Sequence, residues 1–317
     1  MILATLAAAL LAPAADPPKN PFEFADGDRV VFLGGTLIER EQKYGYWELA
    51  LTLLNKDKRV SFRNLGWSGD TVWCESRGSF DGPKKGYENT VALVKELKPT
   101  VIVICYGHVE SFDGEAGVKK FTEGLEKLID GVSGTKARVV LMSPTPFEDV
   151  KPTTDAKVRN ESLGRYVTAM KGVAEKRDLG FVNLFGRLTV FPDSTPRTVN
   201  GVHFDAAGYA RTARALTAGD LDRAWTGAAG GPAADPRNDE LPRQKQDITP
   251  ELMRDSVREK IVAKNELFFH RWRPQNQTYL FGFRKHEQGN NAKEVAEFDP
   301  LVEKAEKQIA ELLKKPK

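Results

Sequence analysis

Residues 29–37 read Arg-Val-Val-Phe-Leu-Gly-Gly-Thr-Leu. A short apolar run closed by glycine is the pattern of a strand covered on both faces, since a half-exposed strand would alternate polar and apolar residues. Working outward, the pattern recurs at Val60–Gly66 (VSFRNLG), Thr100–Tyr106 (TVIVICY, stopped by Gly107), Ala137–Met142 (ARVVLM) and Gly180–Phe185 (GFVNLF). Helical apolar spacing fills the intervals at Trp47–Leu54, Tyr87–Leu97, Val118–Val132 and Val158–Lys176, and again from Ala206 to about Leu221. Apolar strands alternating with amphipathic helices predict an α/β fold: a parallel sheet between two helical layers, with right-handed crossovers. Ligands of such sheets bind beyond the carboxyl ends of the strands. The turns Gly34-Gly35-Thr36, Gly66-Trp67-Ser68 and Gly107-His108-Val109 therefore share one rim.

Composition narrows the classes. The chain has 317 residues, 40% hydrophobic and 29% charged, which excludes disorder, collagen-like repeats and a polytopic membrane protein. Forty-seven basic residues against 44 acidic ones give a net charge of +3, so nothing points to a nucleic acid partner. Two cysteines, Cys74 and Cys105, exclude a disulfide scaffold or a thiolate zinc site. In an exported chain Cys74 and Cys105 could meet in a disulfide, but Cys105 falls in an apolar strand and reads rather as a buried thiol.

The two ends differ from the middle. Ile2–Ala12 is apolar and ends in Ala12-Pro13-Ala14-Ala15, a secretory leader over residues 1–15 with cleavage near Ala14/Ala15. No basic residue precedes the apolar run, and the run is too short to span a bilayer, which takes about 20 residues. The mature chain then begins near Asp16, is exported to the periplasm or beyond, and has no membrane span. Residues 16–225 form the α/β domain in this reading. Residues 226–248, rich in small residues, Pro and charge, read as a linker. Residues 249–317 read as a mostly helical extension, opening with Thr249-Pro250-Glu251 as cap and first turn. Within it, Phe268, Phe269, Trp272, Tyr279, Phe281 and Phe283 interleave with basic residues. Such a stretch can bind sugars or anions, but the plainer expectation is a segment anchored on the α/β domain by its rings.

Chemistry concentrates on the rim. Thr36 follows two glycines at the end of the first strand, and His203 lies between the fifth strand and the last α/β helix. A hydroxyl and an imidazole at these positions can form a nucleophile–base pair, with the amides of Gly35, Thr36 and Gly66 as oxyanion donors. The plain alternative for Thr36 is a turn or capping hydroxyl. His108, Glu110, Ser68, Asp70 and Ser111 belong to the same crevice by position. For Glu110 the reading preferred is a carboxylate that caps local backbone. No spacing motif supports a metal at His108, Glu110 and His203, and no cofactor is implied.

Four blocks resemble the SGNH/GDSL hydrolase superfamily in order and spacing. Phe32-Leu33-Gly34-Gly35-Thr36-Leu37 is similar to the block where that family has Gly-Asp-Ser-Leu. Asn64–Thr71 (NLGWSGDT) resembles the second block, with Gly66 at the oxyanion glycine. Tyr106–Glu110 resembles the Gly-x-Asn-Asp/Glu block, and Asn200–Tyr209 the Asp-x-x-His block with its Gly-Tyr helix. The resemblance spans residues 29 to about 221 and implies a flavodoxin-like sheet in the order 2-1-3-4-5. It also implies hydrolysis of a small ester, acetyl groups on carbohydrate being the candidate. Thr36 would attack, His203 act as base and Asn200 orient it, with Gly35, Gly66, His108 and Glu110 around the oxyanion and substrate. The extension resembles tails of exported, planctomycete-type relatives. Three positions depart from the family: Thr36 replaces Ser, Val109 the oxyanion Asn, and Asn200 the triad Asp. A non-catalytic relative that binds carbohydrate or a protein partner in the crevice is the competing expectation.

Overall fold

The computed structural model describes residues 20–190, 195–217 and 248–314. The expected leader, the start at Asp16 and nearly all of the expected linker lie outside these residues. Five strands, β1 (Arg29–Gly34), β2 (Ser61–Gly66), β3 (Val101–Cys105), β4 (Arg138–Met142) and β5 (Gly180–Val182), form one sheet. Its order is β2-β1-β3-β4-β5, every pairing is parallel, and the flavodoxin-like order expected from the sequence is the one observed. Among the described residues, seven helices surround it: α1 (Thr36–Tyr44), α2 (Tyr46–Leu54), α3 (Pro83–Glu96), α4 (Val118–Val132), α5 (Ala156–Lys176), α6 (Leu184–Val190) and α7 (Ala206–Leu216).

Side-chain alternation splits the strands between two cores. Val30, Phe32, Val103 and Val140 pack with Trp47, Leu184 and Tyr209 of α2, α6 and α7. Val31, Leu33, Ile102 and Leu141 pack with Phe121, Leu125, Tyr166 and Met170 of α4 and α5. Both faces are covered, which is why the strands read as continuous apolar runs. The register pairs Gly34 with both Gly66 and Cys105, so the first three strands end level and their turns meet. Cys74 and Cys105 are buried free thiols.

Two local differences from the sequence reading have clear causes. Helix begins at Thr36 directly after the first strand, and Gly45, at φ +68°, breaks it from α2. The fifth apolar run is strand only to Val182; Asn183 Oδ1 accepts the Gly186 amide (2.8 Å) and turns the remainder into α6.

The tail is built onto this body. Its long helix runs Ile248–Trp272 and its last helix Phe298–Leu313. Phe268 and Val302 join the core that contains β1 and β3, while Val257, Ile261 and Ile309 pack on Leu49 of α2. Lys264, 1% exposed, pairs with the buried Glu48 and also donates to the Phe62 carbonyl. Asn265 Nδ2 donates to the second Glu48 oxygen (3.1 Å), and Arg63 pairs with Glu306. Ring anchoring ends early. Trp272 packs against the core, but Phe281 and Phe283 are 53% and 70% exposed, because the short turns that carry them lie beyond the long helix.

Candidate active site

The rim is held from beneath by a buried polar knot. Arg77 Nε pairs with Asp70 Oδ2 at 2.6 Å, with both side chains under 5% exposed. Its Nη2 donates to the carbonyls of Gly34 (3.2 Å) and Leu65 (2.8 Å), the last turns of β1 and β2. Tyr106, just after β3, donates its hydroxyl to Asp70 Oδ2 at 2.7 Å. One guanidinium thus ties together the ends of three strands. Burial and the Arg77 charge act in opposite directions on the Tyr106 phenol, and its pKa rises well above the ordinary value. It is therefore a neutral donor.

Thr36 is the first residue of α1, so its amide has no intrahelical acceptor. Its Oγ1 accepts the Gly69 amide at 3.0 Å, and it makes no hydrogen bond to His203. The Gly66 amide, expected to face the oxyanion, is instead taken by Asn64 Oδ1 at 2.8 Å. Gly66 serves packing instead. A Cβ there would collide with the Glu39 nitrogen, so glycine lets α1 cross the end of β2. The amide aimed at Thr36 belongs to Gly69, which the sequence reading missed. The signal was the second glycine of NLGWSGDT.

Glu110 is buried, and both oxygens serve backbone: Oε1 accepts the Val72 amide (2.7 Å) and Oε2 that of Gly107 (2.9 Å). Burial pushes its pKa up against those bonds. It is a loop brace, as the capping alternative has it, and not a partner of either histidine. Ser111 Oγ likewise donates to the His108 carbonyl (2.8 Å), and exposed Ser68 gives its amide to Glu39. The His108 ring lies on Phe147, with centroids 4.2 Å apart. Burial, and then the charges of His203 and Arg159, push the His108 pKa down to about 4, so it is neutral near neutral pH. Val109, at the position of the family's oxyanion Asn, is 39% exposed and offers no donor.

The turn carrying Asn200 and His203 is fixed from both ends. Glu148 Oε2 accepts the Arg197 and Thr198 amides, each at 2.9 Å, and Asp205 caps α7 through the Gly208 amide at 2.7 Å. Asn200 Oδ1 accepts the amides of Val202 (3.2 Å) and His203 (2.8 Å). Those two donors fix the orientation of the amide group. Its Nδ2 must then face His203 Nδ1, at 3.1 Å. An NH2 donor there requires a lone pair on Nδ1, which puts the proton of neutral His203 on Nε2. Burial, and then the Arg40 charge, lower the His203 pKa, so the neutral form prevails. A triad histidine needs the opposite tautomer, with Nε2 free to accept. Here the imidazole offers the crevice an N–H.

A family model described as GDSL-like lipase/acylhydrolase matches residues 15–211. No curated protein matches the sequence. Among solved structures, a gut microbial diltiazem-metabolizing enzyme aligns with a TM-score of 0.62 at 12% identity, over 92% of this chain and 96% of its own. A catalytic mutant of an acetylxylan esterase from Geobacillus stearothermophilus aligns at 0.48 and 17% identity, over 62% of this chain and 95% of its own. A lipase/acylhydrolase from Enterococcus faecalis aligns at 0.45 and 21%, over 62% and 96%. At these identities the likeness is one of fold. In the first case it reaches beyond residues 15–211, so it takes in part of the tail.

Proposed function

Because the chain belongs to the GDSL-like lipase/acylhydrolase family, we propose that it is an exported esterase or deacylase of small esters with a degenerate active site. The observation that carries this reading is the Thr36 hydroxyl, set at the end of β1 with its oxygen 3.0 Å from the Gly69 amide. A carbonyl carbon approaching Thr36 would bring its oxygen towards that amide and the open amide of Thr36. Thr36 is the nucleophile and His203 the base for its proton, a role that requires the ring, held by Asn200 at Nδ1, to shift to the tautomer with Nε2 free. The amides of Thr36 and Gly69 are the oxyanion donors. Ser68, Gly69 and Val109 are exposed, which suits an acyl group displayed on a larger alcohol such as a carbohydrate, an acetyl ester foremost. No metal or other cofactor enters the scheme. Export rests on the leader-like residues 1–15, and among the described residues no helix is long and apolar enough to cross a membrane.

The reading is tested by hydrolysis of p-nitrophenyl acetate by the purified chain beside Thr36→Ala. Turnover that falls to background in the variant supports it, and equal rates in the two proteins sink it. The orientation of Asn200 favours a second reading, a family member that binds an acylated carbohydrate without turning it over. In that case calorimetry detects binding of an acetylated oligosaccharide by a chain that does not hydrolyse the ester.

A further inference from the structure

The aromatic and basic stretch of the tail plays no part in the site described so far. We propose that Trp272 and Arg273 are positioning residues for the crevice, holding the loop 66–69 whose Gly69 amide faces Thr36. The Arg273 guanidinium lies 3.5 Å from the centroid of the Trp67 ring. Its Nη1 also pairs with Glu39 Oε2 at 3.4 Å. Glu39 is three residues beyond Thr36 on α1, and the same Oε2 accepts the Ser68 amide. The next amide along, that of Gly69, is the one bonded to Thr36 Oγ1. A continuous chain of contacts therefore runs from the tail to the nucleophile hydroxyl: Arg273, Glu39, Ser68 N–H, Gly69 N–H, Thr36.

Trp67 is gripped from several directions. Arg77 approaches its ring at 5.8 Å, and Trp272 tilts against it at 5.9 Å. The Trp67 amide donates to the Gly34 carbonyl at 3.0 Å. Two guanidiniums on one ring would repel each other unless each had its own carboxylate. Arg77 has Asp70 and Arg273 has Glu39. Ser68 and Gly69 are exposed, so without this brace their amides would turn to water. Oxyanion donors act only when preorganised, and a misplacement of about 1 Å can cost roughly 10²-fold in rate.

The catalytic half of this proposal rests on the acylhydrolase reading; the structural half does not. The test uses the full chain and the variants Arg273→Ala and Arg273→Lys. Amide hydrogen exchange is followed in residues 66–71, with β3 (101–105) as internal reference. In Arg273→Ala we expect exchange in 66–71 to rise about tenfold or more while β3 stays protected. Arg273→Lys, which keeps the ion pair but not the flat stacking, should recover part of the protection. On p-nitrophenyl acetate, Arg273→Ala should lower kcat about tenfold with KM nearly unchanged. Unchanged exchange in 66–71 overturns the proposal whatever the rates do. Faster exchange in 66–71 and β3 alike also overturns it, by making Arg273 a general stability residue. A wild-type chain inert towards the ester sinks the acylhydrolase reading and leaves the exchange result to decide the brace.

Discussion

On the β1–β2 side of the rim, Arg77, Asp70 and Tyr106 fix the strand ends from below, and the Gly69 amide meets Thr36 from above. On the side of β3 and α7, the framework is just as firmly held, by Glu110 and Glu148, but the groups offered to the crevice have changed character. Val109 has no donor, and Asn200 turns the His203 lone pair away. The comparison separates two things that a family motif runs together. Backbone geometry is maintained by buried charges and depends on few side chains. Proton transfer depends on which atom of one amide faces one ring nitrogen, and it can be lost with no change of shape.

The largest effect should come from breaking the better-kept side. Arg77→Met leaves Asp70 as an unpaired buried carboxylate, and removing one partner of a buried pair costs about 3–5 kcal/mol. Denaturant unfolding should show that loss. A midpoint unchanged within error would mean that the knot does not hold the strand ends.

The chemical side is sharpened by restoring it. Asn200→Asp replaces the donor at His203 Nδ1 with an acceptor, so the ring proton should move to Nδ1 and the imidazole pKa should rise. Nitrogen NMR of labelled histidine reads both. A wild-type protein already protonated at Nδ1 would refute the tautomer assignment. In serine proteases the reverse exchange costs about four orders of magnitude. With Thr36→Ser and Val109→Asn added, hydrolysis of a simple acetyl ester should rise at least about tenfold, roughly 1.4 kcal/mol of barrier. A folded triple variant no faster than its parent would point to a crevice rebuilt for binding.

The smallest effect tests whether firm framing extends behind the rim. Glu41 on α1 is buried, and its Oε1 accepts the amides of Trp47 and Glu48. Burial raises its pKa well above the ordinary 4.5. The folded chain therefore holds a proton that the unfolded chain releases. This stabilising contribution is complete below about pH 4.5 and fades as pH rises through the folded-state pKa. Glu41→Gln keeps the acceptor and removes the ionisation. It should unfold later than the parent at mildly alkaline pH, by about 1 kcal/mol, with the gap closing in acid. A gap independent of pH would contradict this assignment.

The sheet was legible in the sequence because strands covered on both faces leave unbroken apolar runs, and five such runs fixed the order of the elements. The crevice was legible only as an address. Gly66 and Gly69 look alike in the sequence, yet one is a close-approach glycine under α1 and the other points its amide at Thr36. Glu110 was legible as a carboxylate that caps backbone, but not that its two oxygens take the amides of two separate loops, at Val72 and Gly107. The role of Arg273 was hidden because its partners, Glu39 and Trp67, are more than two hundred residues away along the chain. No local pattern records such a pairing.

The Lys264–Glu48 pair has a consequence for how the chain comes into being. Glu48 lies in the second helix made, and its buried counter-charge arrives only when residue 264 has been synthesised. Until then the surface of α2 carries an unmatched acid beside Leu49, an apolar side chain whose cover, Val257, Ile261 and Ile309, comes from the tail. The core around Val30, Phe32 and Trp47 contains no tail residue, whereas the outer face of α2 is completed only once the tail has been made. A chain interrupted before the tail would present that acidic, half-covered face to whatever quality-control machinery meets it.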